Sequence, residues 1–389
     1  MIVICEGLGG SGAVANVAWH HAQGLSREWT VSLISDGLSP ERRSHLEQSQ
    51  GRLKLCLVKV ARLTVLRRFA HLPRQLLWIF IALRATQAEL QGARTAVICH
   101  SHPVAAAIAC RFGRRVRLIM VSHGDIFHRP TGSYDPAMTW LYRLTTPLAH
   151  RSAAVSVALS PEMFTRIKAH GVLPERIALI PNGLNPNEIG LDDANPTPLE
   201  HWLQRPLRLL FVGRLDPIKG VEVLLAALAI VQRSGVKIHL DIVGTATEQR
   251  RHQLRQLAKQ LDVEQLIHWI GAVPRGSLAM HYRKCHAVVV PSMDDPLPTV
   301  VLESMACERP LIGTSVGGIK YMVLANKTGL LIPPSNPQLL AMAIERLDVD
   351  RAWLRRASQD SKERSFEFSW EQTSEKLMQV LICSMRDDT

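Results

Sequence analysis

The strongest constraint on the fold is a rhythm that runs through the chain twice. Short β-branched, apolar runs alternate with longer helical patterns, first across the N-terminal half and again after a stretch rich in proline, asparagine and aspartate. Strands covered on both faces read as continuous apolar runs, and parallel neighbours need a crossover, usually a helix. The first series predicts strands at 2–6, 30–35, 53–60, 95–99, 116–122, 153–158 and 177–180. The second predicts strands at 207–212, 237–243, 267–270, 287–290, 311–313 and 329–332. Between them, 184–206 contains Asn185, Pro186, Asn187, Asp192, Asp193, Asn195, Pro196 and Pro198, the composition of a linker with turns. A single core stops growing near ~250–300 residues. The 389-residue chain is therefore expected to be α/β, with two doubly wound parallel-sheet domains.

Charge narrows the partners. The chain carries 46 Lys and Arg against 34 Asp and Glu, a formal net charge of +12. Residues 51–120 hold 13 of the basic residues and one acid, Glu89, so this stretch accounts for the surplus. Modules that stack bases interleave aromatics with their cations. Here Phe69, Trp78, Phe80 and Phe112 sit inside apolar runs, which argues against nucleic acid. Over 58–85, Lys59, Arg62, Arg67, Arg68, Arg74 and Arg84 alternate with apolar residues such as Leu66, Leu76 and Phe80. That pattern fits a helix lying on an anionic membrane surface, and equally a solvated face whose apolar side enters the core. No signal-peptide pattern follows Met1, and no apolar run approaches the ~20 residues of a spanning helix. The expected location is cytoplasmic, peripheral to the inner membrane face. Seven dispersed cysteines without a CxxC pair predict neither a disulfide framework nor a zinc site.

Ligands of doubly wound sheets bind beyond the carboxyl ends of the strands. The first strand runs into Gly7-Leu8-Gly9-Gly10-Ser11-Gly12, a G-x-G-x-x-G match, and Asp36 ends the next strand. Alone, this fits a dinucleotide cofactor, another ligand loop or a structural turn. In the second half, 207–212 leads into Gly213-Arg214-Leu215-Asp216-Pro217-Ile218-Lys219-Gly220 and then an apolar helix. Arg214 and Lys219 at a strand end before a helix would direct two cations and the helix dipole at one point, which suits a diphosphate; the alternative is two solvated loop residues. Strand 287–290 ends in a loop holding Asp294 and Asp295, and Glu303 lies about one turn inside the following helix. The neighbours of Glu303 (Val300, Val301, Leu302, Met305, Ala306) are apolar, so a buried carboxylate there needs a partner. Backbone N–H groups at that helix start, around Thr299 and Val300, are positioned to hold phosphate oxygens.

At these residues the sequence resembles glycosyltransferase family 4, the retaining sugar transferases of GT-B fold. The resemblance is carried by Asp295 and Glu303 on the E-x7-E pattern, Gly213 to Gly220 on the phosphate loop, and Gly9 and Gly10 on the acceptor-domain glycine loop. His123-Gly124, Pro181-Asn182-Gly183, Gly317-Gly318 and Thr328-Gly329-Leu330-Leu331 follow in the family's order. It implies two facing Rossmann-like domains with a central cleft: residues 1–183 plus 371–389 for the acceptor, a linker at 184–206, and 207–370 for a UDP- or GDP-sugar donor. Glu303 would bind the ribose, Arg214 and Lys219 the diphosphate, and Asp295 the transferred sugar. Gly213, Leu297, Thr299 and Val300 would complete the donor site, with His123 near sugar and acceptor. His100 and His102 read as satisfied core histidines. No metal or other cofactor is implied. The implied function is transfer of a sugar with retention to a glycan or lipid-linked acceptor, in cell-surface polysaccharide or glycolipid synthesis. Two other readings stay open: an NAD-type oxidoreductase using Gly7 to Gly12, and a non-catalytic sugar- or membrane-binding relative.

Overall fold

The computed structural model describes residues 1–5, 13–35, 37–49, 51–57, 71–90, 95–124, 136–191 and 206–386. The Gly7–Gly12 loop with Gly9 and Gly10, Asp36, the basic residues between 58 and 70, and 192–205 of the expected linker lie outside the described residues. The chain divides into two units, Met1–Gly183 with Trp370–Thr389, and Leu184–Ser369.

The first unit runs β1 (Ile2–Ile4), α1 (Ala13–Leu25), β2 (Val31–Ser35), α2 (Pro40–Gln48), β3 (Leu53–Leu57), α3 (His71–Glu89), β4 (Thr95–Cys99), α4 (His102–Phe112), β5 (Val116–Val121), α5 (Pro136–Ser152), β6 (Val155–Ala158), α6 (Pro161–Ala169) and β7 (Ile177–Leu179). Its seven strands pair in parallel in the order β3-β2-β1-β4-β5-β6-β7. The order reverses between β1 and β4, which makes their carboxyl ends the topological switch point. The apolar runs become strands because both faces are covered: Ile2, Val3 and Ile4 of β1, and Val97, Ile98 and Cys99 of β4, are buried.

The second unit runs β8 (Leu207–Val212), α7 (Val221–Arg233), β9 (Ile238–Val243), α8 (Glu248–Gln260), β10 (Ile267–Gly271), α9 (Leu278–Lys284), β11 (Ala287–Val290), α10 (Thr299–Ala306), β12 (Leu311–Thr314), α11 (Ile319–Met322), β13 (Gly329–Ile332), α12 (Pro337–Val349) and α13 (Arg351–Ser365). Its sheet is also parallel, in the order β10-β9-β8-β11-β12-β13, with the reversal between β8 and β11. Helix α7 shows why these segments are helical: Val221, Leu224, Leu225 and Leu228 recur at helical spacing and are all buried in the unit's core.

The last helix, α14 (Trp370–Arg386), returns to the first unit. Trp370 stacks on His20 of α1 with ring centroids 4.2 Å apart, and Thr373 Oγ1 donates to the Pro181 carbonyl at 2.9 Å. Among the described residues no helix is long and apolar enough to cross a membrane.

Candidate functional site

In the second unit the site begins with two adjacent strands. β8 and β11 pair side by side, so the loops that leave their carboxyl ends, 213–220 and 291–298, emerge together. Gly220 has φ of +70°, and a Cβ there would lie 2.0 Å from the Pro291 carbonyl oxygen. Only glycine allows that approach. Met293 N–H donates to the Ile218 carbonyl at 2.8 Å, which ties the two loops backbone to backbone. On the other side of the acidic loop, Gly317 has φ of +49° and a Cβ there would lie 1.9 Å from the Asp295 carbonyl oxygen. Gly318 N–H donates to that same oxygen at 2.9 Å. The loop bearing Asp295 is therefore gripped from two directions by backbone contacts.

Within this frame Lys219 Nζ meets Asp295 Oδ2 at 2.5 Å. Asp295 is 6% exposed, so the pair is a charge-assisted contact largely withdrawn from water. This contact sets Asp295 opposite Lys219. Arg214 does not join them. Its guanidinium pairs with Asp216 Oδ2 at 3.0 Å and is largely exposed. The expected convergence of two cations on one point is thus a single placed cation, with Arg214 on the outer side of the same loop.

Helix α10 follows the acidic loop, with Leu297 buried just before it. Pro298 is its N-cap and supplies no side-chain bond, so the backbone N–H groups around Thr299 and Val300 have no side-chain cap. Glu303 lies one turn inside at 2% exposure. Its Oε1 accepts from Arg275 Nη1 at 2.9 Å and its Oε2 from the Tyr282 hydroxyl at 2.8 Å. A carboxylate offers about four lone-pair sites, so two bonds leave acceptor capacity for a ligand hydroxyl. Burial, then the Glu303 charge, pushes the Tyr282 phenol well above its usual range, and it remains a donor. Arg275 and Tyr282 were not found from the sequence, because they come from the β10–α9 segment and carry no motif.

In the first unit a different site forms near the switch point. His100 follows β4, His123 follows β5, and His21 lies on α1. His100 Nδ1 and His123 Nε2 are 2.7 Å apart, with rings stacked at 5.1 Å, and the His21 ring lies 5.3 Å from that of His100. All three are held neutral. Burial, reinforced by His123 and His20, lowers His21 to about 3; burial lowers His123 to about 4; and burial, with His123 and His21, carries His100 well below its usual value. His21 Nδ1 and His100 Nε2 are buried without a hydrogen-bond partner. His100 is therefore not the satisfied core histidine expected of it. His102 is better served, with its Nε2 3.3 Å from His150 Nε2 and 3.5 Å from Ser122 Oγ.

Comparison with known proteins bears on the family and the fold. The family model described as Glycosyl transferases group 1 matches residues 201–364, and that described as Glycosyltransferase Family 4 matches residues 12–188. A D-inositol 3-phosphate glycosyltransferase of Streptomyces bingchenggensis is 27% identical over 229 residues, covering 57% of this chain and 50% of that protein. The chain spans about half the length of the curated relatives it matches. Sucrose-phosphate synthase from Thermosynechococcus elongatus superposes with a TM-score of 0.78 at 20% identity, covering 98% of both chains. Anabaena HepE, solved in complex with UDP, superposes with a TM-score of 0.75 at 19% identity, covering 98% of this chain and 99% of its own. These likenesses show a GT-B fold.

Proposed function

The chain belongs to glycosyltransferase family 4, and on that premise we propose that it moves a sugar from a UDP- or GDP-sugar to a glycan or lipid-linked acceptor with retention. The observation that carries this reading is the Lys219–Asp295 contact on two glycine-locked loops, one turn before a buried Glu303. Without donor, Lys219 is neutralised by Asp295. An arriving diphosphate competes for the ammonium, and exchange of Lys219 onto a phosphate oxygen frees the Asp295 carboxylate for the sugar hydroxyls. Charge on the departing diphosphate is then stabilised by Lys219 and by the N–H groups around Thr299 and Val300, with Gly213 allowing close approach. Arg214 reaches the phosphates only by leaving Asp216. Glu303, oriented by Arg275 and Tyr282, accepts from the ribose hydroxyls. No step needs a metal or cofactor.

The acceptor falls to the first unit, where His123 would meet sugar and acceptor and Gly9 and Gly10 would supply the glycine loop. The orphaned nitrogens of His21 and His100 leave polar capacity for hydroxyls there. An oxidoreductase reading would leave Lys219, Asp295 and Glu303 without a role. We further propose that the enzyme works in the cytoplasm against the inner membrane face, in cell-surface polysaccharide or glycolipid synthesis. On α3, Leu76 and Phe80 are exposed between Arg74 and Arg84; on α5, Trp140, Leu144 and Leu148 are exposed one helical turn apart. Apolar residues flanked by cations suit anionic lipid.

Thermal shift with UDP, GDP, ADP and NAD tests the donor: stabilisation by NAD and by no nucleoside diphosphate would overturn the proposal. Anomeric proton couplings of the product should report retention. Co-sedimentation at low salt should favour anionic over neutral liposomes.

A further inference from the structure

We propose that His239, Asp241 and His268 form a binding site for a zinc-class divalent cation, set within the strands of the second unit rather than on the loops that follow them. β9 and β10 are parallel neighbours, and Asp241 and His268 are directly paired in their register. His239 and Asp241 are two residues apart on one strand, so they project from the same face. His239 Nε2 lies 3.4 Å and His268 Nδ1 3.2 Å from Asp241 Oδ1, and the three ligand atoms all lie within 4.8 Å of one another. Zinc bonds of ~2.0–2.2 Å to nitrogen and oxygen give tetrahedral edges of roughly 3.3–3.6 Å. Two of the three edges are thus near the required length, and the third closes by a rotation of the largely exposed His268 side chain. Two imidazoles and one carboxylate suit zinc, nickel or copper better than magnesium or calcium.

A second observation points the same way. His281 on α9 is 7% exposed and its Nε2 has no hydrogen-bond partner, while Asp241 and His268 act electrostatically on it together with Lys284. A water completing the coordination sphere would give that nitrogen a partner, as metal-bound groups commonly receive from a surrounding polar shell. The competing account is that Asp241 only accepts hydrogen bonds from two imidazoles. The chain's sequence carries no metal signature here because the ligands come from two strands rather than one motif.

The test uses the full chain freed of metal with chelator, in a Cys110→Ser/Cys383→Ser background that removes two exposed thiols. Calorimetric titration with zinc should give one saturable site, with no heat from magnesium. His239→Ala/His268→Ala should weaken it at least tenfold, and zinc should raise the Tm of the parent but not of this variant. Unchanged melting of the chelated variant serves as the fold control. Equal zinc affinity in parent and double variant, or no saturable binding to the parent, would overturn the proposal. Because the readout is metal binding, it stands or falls separately from the sugar-transfer reading.

Discussion

In the second unit, Lys219 and Asp295 meet on loops whose backbones are pinned at Gly220 and Gly317. In the first, His21, His100 and His123 meet through side chains alone, from an α-helix and two strand ends. The charged site is internally compensated and rigid before any ligand arrives. The histidine array is neutral, and two of its nitrogens are buried without partners, so it is left incomplete by the fold. Opposite charges withdrawn from water must be paired and placed accurately, and backbone contacts supply that accuracy. Neutral imidazoles tolerate looser support and cost less when unpaired.

The largest effect should come from removing the placed cation. Lys219→Ala is expected to lower kcat by roughly 10²–10³-fold, the usual loss for one group stabilising developing charge. Arg214→Ala, whose largely exposed guanidinium rests on half-buried Asp216, should cost less than Lys219→Ala. Steady-state kinetics of the two variants side by side would break the contrast if Arg214 proved the more costly. Next, Gly220→Ala forces a left-handed backbone and a clash with the Pro291 carbonyl. It should destabilise the second unit by at least ~2 kcal/mol, read as a lower Tm.

Glu303→Ala leaves the Tyr282 hydroxyl and one Arg275 bond unsatisfied in a buried setting. It should cost about 1–3 kcal/mol of stability in addition to activity. Tyr282→Phe removes one bond and should cost less, so a denaturation midpoint lower than that of Glu303→Ala would count against this assignment. The most gradual effect is a pH slope from the first unit. His21 and His123 have folded values near 3 and 4, below the unfolded 6.5. Between those values the unfolded chain binds protons that the folded chain does not, so stability falls as pH drops below 6.5. Each histidine kept neutral contributes about 1.4 kcal/mol per pH unit. Urea midpoints measured from pH 7 to 5 should show this decline, and His21→Asn should flatten it.

The two regions also differ in how far they could be read in advance. Among the described residues the strand runs were legible to within a residue or two, as with 95–99, 207–212, 287–290 and 329–332, because a strand buried on both faces has little freedom of composition. The glycine loop and the acidic pair were visible as local motifs. The direction of Arg214 was not, since a long side chain on an exposed loop is steered by its neighbour Asp216. Nor was the meeting of Asp295 with Lys219, which joins two loops far apart in sequence.

By itself, then, the sequence determined the strands in their succession along the chain and the two-fold repetition of the α/β rhythm, which depend on local composition and spacing, while its motifs carried the family resemblance. Only the tertiary structure brought Arg275 and Tyr282 to Glu303, His21 and His100 to His123, and His268 to Asp241. Those meetings join residues far apart along the chain, and their geometry depends on strand order and side-chain direction, which no local pattern encodes.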